Sequence, residues 1–439
     1  MGKIHLLAVI ACLMLCVGSV NAQEKNIKVF TLDEIFKLAE TNSKQLKLSN
    51  TKIEMSKAAV STAKNSLLPS IDVSLRGSFI GNACIIDRDL GHGMKGSMPH
   101  WGNTFSVEAS QVVFAGGAIK NNIEKAKLEE QVSRLDFQKD AMDIRFLLTG
   151  YYLDLYKLQN QRKVYLENIN QTKIVIEQVH AKQKQGMALD NDITRHELLL
   201  KNLELAIIEI DNNYDIINNN LTVTLGLPSN VVIKPDSTIL QTDLVNYNSN
   251  NLMDVAENNL PELKSAALQT NIADKGIKMA KADYLPSVAI VAANTFDGPI
   301  LVEVPPINKN LNYWFVGLGV KYNLASLFKS KKNVRLAKSN KQLSVDAHDL
   351  IREHVETSIH NAFTKYKEAF EIYQTRVKSL QLANENYNVI NKRYQNDLVL
   401  ITEMLDASNS KLEAELQLVN ARINIIYNYY KLQRTIGKL

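Results

Sequence analysis

Residues 68–79 read LPSIDVSLRGSF, and residues 285–296 read LPSVAIVAANTF. The two Leu-Pro-Ser openings stand 217 residues apart (285 minus 68). Working outward from them, the same offset carries Ala39, Glu40, Asn42, Leu46 and Lys47 onto Ala256, Glu257, Asn259, Leu263 and Lys264. It also carries Ala63-Lys64 onto Ala280-Lys281. Further on the offset drops to 211 (333 minus 122), where Asn122, Ala126 and Lys127 match Asn333, Ala337 and Lys338. The second value then holds for Glu204-Leu205, Asn213, Thr224 and Gly226 against Glu415-Leu416, Asn424, Thr435 and Gly437. An offset that persists over long spans and shifts once means duplication with one loop shortened.

Each half predicts the same string of elements. A helix, over about 31–66 and about 252–284, ends ahead of Pro69 or Pro286, because proline disfavours helical geometry in the residue before it. Two strands follow, over about 68–80 and 103–115 in the first half and about 286–296 and 312–324 in the second. A long helical hairpin closes each half, over about 118–226 and about 327–437. The first repeat therefore spans 23–226 and the second 252–439, with a Pro/Ser/Asn-rich linker at 227–251. The helix from about 118 to 183 would be roughly 100 Å long at 1.5 Å per residue. No compact globular domain has use for such a helix. On the second hairpin, Val355, Ile359, Ala362, Tyr366, Ala369 and Tyr373 form one apolar stripe. Leu412, Leu416, Val419, Ile423, Ile426 and Tyr430 form another, so both helices read as coiled-coil seams. The fold class is mainly α with a small β part.

The strands alternate. Ile71, Val73, Leu75 and Phe79 interleave with Asp72, Ser74, Arg76 and Ser78. Trp314, Val316, Leu318, Val320, Tyr322 and Leu324 interleave with Phe315, Gly317, Gly319, Lys321 and Asn323. That pattern fits either a half-buried soluble sheet or a lipid-facing one. Only four such strands exist per chain, whereas a closed membrane barrel needs at least about eight. An open sheet edge in hydrocarbon would leave backbone groups unpaired at several kcal/mol each. Four strands therefore demand a soluble sheet or several chains sharing one barrel. Export, long paired helices and alternating strands together favour sharing.

Export is read from the first residues. Lys3 supplies a positive start, residues 4–20 are apolar, and Val20-Asn21-Ala22 offers small residues at a cleavage site, making 1–22 a signal peptide. A rival reading takes Val9-Ile10-Ala11-Cys12 as a lipobox, with Cys12 lipidated; the apolar run continues well past Cys12, which disfavours it. After Ala22 no stretch approaches the roughly 20 apolar residues of a spanning helix. With 51 basic against 46 acidic residues, nothing points to a nucleic-acid face. Cys12 and Cys16 leave with the signal, so Cys84 has no partner and disulfide stapling is excluded.

The duplicated helix–strand–strand–helix–helix order resembles the TolC-like outer-membrane efflux channel family across essentially the whole mature chain. The residues that carry the likeness are Leu-Pro-Ser at 68–70 and 285–287, and Val113-Phe114-Ala115-Gly116-Gly117. Thr402-Glu403-Met404-Leu405-Asp406-Ala407, Asn420-Ala421-Arg422 and Ile436-Gly437 complete it. The resemblance implies a homotrimer in the outer membrane of a Gram-negative bacterium, with four strands per chain in a 12-stranded barrel continuous with an α-helical periplasmic barrel. It also implies a periplasmic adaptor and an inner-membrane RND or ABC transporter, for which the trimer would be a passive exit duct in drug, metal or polypeptide export. The chain stops at Leu439 without a long tail, and Asn323-Leu324-Ala325-Ser326 stands where the first half has its glycine pair.

Gln185-Gly186-Met187-Ala188 and Gln395-Asn396-Asp397-Leu398 turn between the long helices and should be the periplasmic tips. Glu403 and Asp406, spaced i, i+3 after the second tip, share a helix face. The resemblance makes them an acidic ring at the entrance; the plain alternative is a helix first turn that tolerates acids. Tyr394 and Asp192 fall where the family places a closed-state lock, and Val399 stands where an assisting arginine is usual. Each also has an ordinary reading, Asp192 as a helix-start acid and Tyr394 as a seam residue. Trp314, Val316, Leu318, Val320 and Tyr322 are the expected lipid-facing set.

Other chemistry is thin. His348, His354 and His360 recur every six residues, which scatters them around a helix and speaks against convergent zinc ligands. His92 and His100 sit in a Gly-rich loop, and Gly116-Gly117 lacks the rest of a phosphate loop. No catalytic constellation, cofactor motif or metal motif is found, so an enzyme is a distant third reading. The runner-up is a soluble periplasmic coiled-coil adaptor or scaffold.

Overall fold

The computed structural model describes residues 26–241, 251–303 and 305–439. The expected signal peptide lies outside them, as do 242–250 of the expected linker. In chain order the first half holds β1 Asn26–Phe30, α1 Leu32–Asn42, α2 Lys44–Asn65, β2 Ser70–Phe79, β3 Ala83–Ile86, β4 Gly93–Gly96, β5 Trp101–Ala115, α3 Ala118–Lys184 and α4 Asp190–Leu225. The rest holds β6 Val231–Pro235, α5 Leu252–Asn259, α6 Pro261–Ala282, β7 Ser287–Gly298, β8 Leu311–Lys321, α7 Ser326–Gln395 and α8 Ile401–Thr435. The mainly helical, duplicated architecture is the expected one.

Two departures concern the first helix of each half. Each is two helices, broken at equivalent places. Ser43 takes extended geometry (φ −62°, ψ 121°) and its Oγ accepts from the Leu46 amide at 3.4 Å. In the second half Leu260 is extended (φ −72°, ψ 118°) because Pro261 follows it, and that proline opens α6, where a missing N–H costs nothing. α1 starts on a capping box in which Thr31 and Glu34 each receive the other's amide.

The chain divides into two units. One comprises Met1–Leu48, Gln138–Leu260 and His354–Leu439; the other comprises Ser49–Phe137 and Pro261–Glu353. The first holds the dense core, including Ile35, Leu148, Tyr152, Leu221, Ile233 and Leu432, all essentially without solvent contact. Part of the expected linker is built into this unit, since β6 pairs parallel with β1 from Asn26↔Val231 to Phe30↔Pro235. The buried Asn218 side chain holds β6, donating to the Val231 carbonyl (2.9 Å) and accepting the Ile233 amide (2.8 Å). The α7 seam is buried at Ile359, Ala362, Tyr366 and Ala369. On α8 the predicted Ile423 and Ile426 are buried, together with Met404, Ala407, Ala414, Ala421 and Leu432, while the predicted Leu412, Leu416 and Val419 are half-buried beside them. Alanines let neighbouring helices approach closely, which displaces the larger side chains to the flanks of the seam.

The second unit holds an antiparallel sheet in the order β2-β5-β7-β8. The loop between β2 and β5 carries its own small hairpin, β3 with β4. Gly116 and Gly117 both have positive φ at the end of β5. A Cβ on Gly116 would lie 2.8 Å from the Ala282 carbonyl oxygen, so only glycine fits this strand-to-helix turn. The matching turn in the second half needs no glycine, because Asn323 Oδ1 accepts the Ala325 amide at 3.1 Å and folds the chain into α7. That turn begins early enough to leave Tyr322 one residue beyond β8.

Candidate functional site

Register fixes which sheet residues share a face. Ile71, Val73, Leu75 and Phe79 pair with Ala109, Val107, Phe105 and Trp101. Phe105 and Ala109 pair with Phe296 and Ala292, and Ala292, Ile290 and Val288 pair with Val316, Leu318 and Val320. Partners in a ladder point to the same side, so these residues form one continuous apolar face. That face is uncovered: Leu75 is 81 % exposed and Leu318 75 %. The opposite face is hydrogen-bonded among its own polar side chains, with Ser74 to Ser106 at 2.8 Å and Thr104 to Asp297 at 2.7 Å. A bulge between Val112 and Phe114 ends the regular alternation on β5. β2 and β8 each have one partner in the sheet, leaving two strand edges unpaired among the described residues.

The two long hairpins of the first unit turn in the same way. At the first tip Gly186 has φ 73° and the Met187 amide closes onto the Lys182 carbonyl at 2.9 Å. At the second tip Asp397 has φ 59° and the Leu398 amide closes onto the Arg393 carbonyl at 2.9 Å. Gly186 and Asp397 are 211 residues apart, so the duplicated sequence folds into duplicated helix ends. Aspartate tolerates the left-handed region better than most residues, which is how the second tip turns without glycine.

Tyr394 joins the two hairpins. It packs against Val175, Val179 and Ile193 of the first and against Tyr387, Met404 and Ala407 of the second. Burial, then the charges of Asp192 and Asp397, push its hydroxyl above the usual tyrosine range. The Asp192 carboxylate itself accepts from the Leu189 amide at 3.0 Å, capping the start of α4. Among the described residues no hydrogen bond joins Asp192 to Tyr394; the two are linked through charge.

Lys182, which sequence reasoning missed, makes the polar tie between the tips. Its Nζ donates to the carbonyls of Tyr394 (3.1 Å) and Gln395 (3.3 Å) and pairs with the Asp397 carboxylate at 2.5 Å. It also lies 5.2 Å from the Tyr394 ring centroid. The last carbonyls of α7 have no helical partner, and a cation there is favoured by the helix dipole as well. The signal available in the sequence was the repeat itself, which aligns Lys182 with Arg393.

Glu403 and Asp406 differ from Asp192, although Glu403 is its repeat equivalent. Both are exposed on α8, on the side away from buried Met404 and Ala407. Neither has a hydrogen-bond or ion-pair partner among the described residues. One turn beyond Asp192, His196 is 2 % exposed, and neither of its ring nitrogens has a partner among the described residues. Burial holds its pKa below the ordinary range, partly opposed by Asp192. Among the described residues no group of three His, Cys, Asp or Glu is placed to hold a metal ion. His354 and His360 are exposed, and His348 lies 3.3 Å from Asp349.

Comparison with known proteins fits this geometry. Residues 252–438 match the family model described as Outer membrane efflux protein. The outer membrane protein VceC of Vibrio cholerae superposes with a TM-score of 0.76 at 12 % identity, over 92 % of this chain and 96 % of that one. The CmeC outer membrane channel of Campylobacter jejuni gives 0.74 at 16 % identity, over 93 % and 85 %. The open-state MtrE outer membrane channel of Neisseria gonorrhoeae gives 0.73 at 15 %, over 92 % and 88 %. At these identities the likeness establishes the fold. Comparison with curated proteins by sequence returns no match.

The fold is therefore that of these outer membrane channels, and the family match covers the second half of the chain. Its second repeat carries the outer membrane efflux protein domain, and the first repeats the same order of elements.

Proposed function

We propose that three copies of this chain form the exit duct of an efflux pump or type I secretion system. Cargo would pass from an inner-membrane RND or ABC transporter, through a periplasmic adaptor, to the exterior, without chemistry in the duct. The observation that carries the reading is the sheet, whose apolar face is open to solvent and whose two edges lack partners among the described residues. A sheet of a soluble adaptor would bury that face; in a bilayer the face meets lipid and the edges meet other copies. Leu336, Leu343 and Leu350, repeating every seven residues on α7 and all exposed, offer a further face suited to a second copy.

In this reading Trp314, Val316, Leu318, Val320 and Tyr322 face lipid, Gly186, Asn396 and Asp397 form the periplasmic tips, and Glu403 with Asp406 rings the entrance. Tyr394 and Asp192 hold the closed state. The two acids are suited to a ring because their carboxylates are exposed and without partners among the described residues, whereas Asp192 is occupied in capping. The test is reconstitution. The protein should fractionate with the outer membrane, need detergent for extraction and give discrete conductance steps in planar bilayers. A protein monodisperse without detergent and silent in bilayers would return the soluble scaffold reading.

A further inference from the structure

We propose that Arg393 makes, to the first tip of a neighbouring copy, the tie that Lys182 makes to the second tip of its own chain. The inference rests on the reading of the tips as the entrance of an oligomeric channel. The two tips correspond residue by residue: Lys182 with Arg393, Gln183 with Tyr394, Lys184 with Gln395 and Gly186 with Asp397, all at 211 residues. Their backbones correspond too, since the Lys182 and Arg393 carbonyls accept from Met187 and Leu398 at the same 2.9 Å. Their side chains do not behave alike. Lys182 reaches across to the second tip and finds three acceptors. The Arg393 side chain is exposed, with no hydrogen bond or ion pair among the described residues.

The difference follows from counting tips. One chain has a first tip followed by a second, and the second has no further tip after it. If the step from one tip to the next repeats, the acceptor of Arg393 lies on another copy, and such a head-to-tail contact closes into a ring. The acceptors this copy would offer are the last carbonyls of α3, at Gln183 and Lys184, the equivalents of those that receive Lys182. Gly186 provides no carboxylate in the place of Asp397, but Asp190 stands at the same tip, bonded to the Gln183 amide at 2.5 Å. A guanidinium, with five donors in a fixed fork, suits several carbonyls and one carboxylate at once.

The experiment uses the full chain with Cys84→Ser as background. Arg393→Cys with Lys184→Cys, treated in membranes with a short bismaleimide, should give covalent dimers and trimers on a denaturing gel. Lys182→Cys with Gln395→Cys should cross-link within the monomer and give no multimers. In planar bilayers, Arg393→Met should raise the open fraction about threefold, the size expected of a half-exposed ion pair. Monomer-only products from the Arg393→Cys pair, or an unchanged open fraction in pores that still conduct, would overturn the tie while leaving the channel intact. Wild-type protein that forms no pores at all would overturn the channel reading and the tie with it.

Discussion

The Glu403 and Asp406 carboxylates differ from their surroundings in making no hydrogen bond or ion pair among the described residues. Both are exposed and unpartnered among the described residues, on a helix whose other first-turn neighbour, Met404, is buried. If copies bring them together, like charges converge and attract cations. Glu403→Ala with Asp406→Ala should therefore weaken cation selectivity and relieve block by trivalent cations in planar-bilayer recordings, without lowering oligomer yield. Wild-type selectivity in that double variant would make them ordinary helix-start acids. His196 carries a different prediction. Its folded-state pKa lies below the unfolded value because burial disfavours the imidazolium. A histidine lowered in this way contributes stability that is full above about pH 6.5 and is lost as pH falls through the folded value. Thermal melting should thus drop on acidification below about pH 6.5, and His196→Leu should flatten that slope. An identical slope in the variant would assign the acid sensitivity elsewhere. At this scale the sequence was legible where residue type and turn chemistry coincide, as at Gly186 and Asp397. It was opaque where a long flexible side chain chooses among partners, as Lys182 does, because reach depends on a neighbour more than two hundred residues away.

At the scale of elements, alternation and helical period made the four strands of the main sheet and the long hairpins readable. What they could not show was non-local. The parallel pairing of β1 with β6 leaves no turn signal, since parallel partners need no hairpin. The break at Ser43 was hidden because no proline announces it; Pro261 does mark the break in the second half, and the single helix expected over 252–284 passed over that signal. The α8 stripe was read correctly at Ile423 and Ile426 and missed at Met404, Ala407, Ala414 and Ala421, because the period was followed along the larger side chains there. The strand β8 offers the cleanest test of element orientation. Val316, Leu318 and Val320 lie on the apolar face, with Gly317 and Gly319 on the other. Leu318→Arg should cost roughly 2–4 kcal/mol near the bilayer midplane and reduce membrane insertion. Gly319→Arg should insert normally and lower conductance, since its side chain would project into the lumen. The measurement is the heat-modifiable fraction in outer membranes, followed by single-channel current. Equal tolerance of both substitutions would mean that β8 does not face lipid.

The whole chain poses an arithmetic problem that only assembly solves. Four strands give a sheet with edges at β2 and β8, and hydrocarbon contains no water to satisfy the backbone groups those edges expose. Each unsatisfied group costs several kcal/mol in lipid, so an inserted monomer is ruled out on backbone grounds alone. In the proposed channel the remedy is β2 of one copy against β8 of another, repeated until the ring closes. The sheet is prepared for this, because its polar face is already hydrogen-bonded internally and its apolar face is continuous from β2 to β8. Cysteines placed at Val73 on β2 and Val316 on β8, in a Cys84→Ser background, should therefore form inter-chain links in membranes. Neighbouring positions on β8 should be scanned in steps of two, which samples the register between copies and keeps the side chain on one face. The expected product is a ladder ending at trimer, with no membrane-embedded monomer. A ladder ending at a different number would keep the shared barrel and change its stoichiometry. Monomers alone, in a protein that resists carbonate extraction, would sink the shared barrel and require the sheet edges to be covered from within one chain.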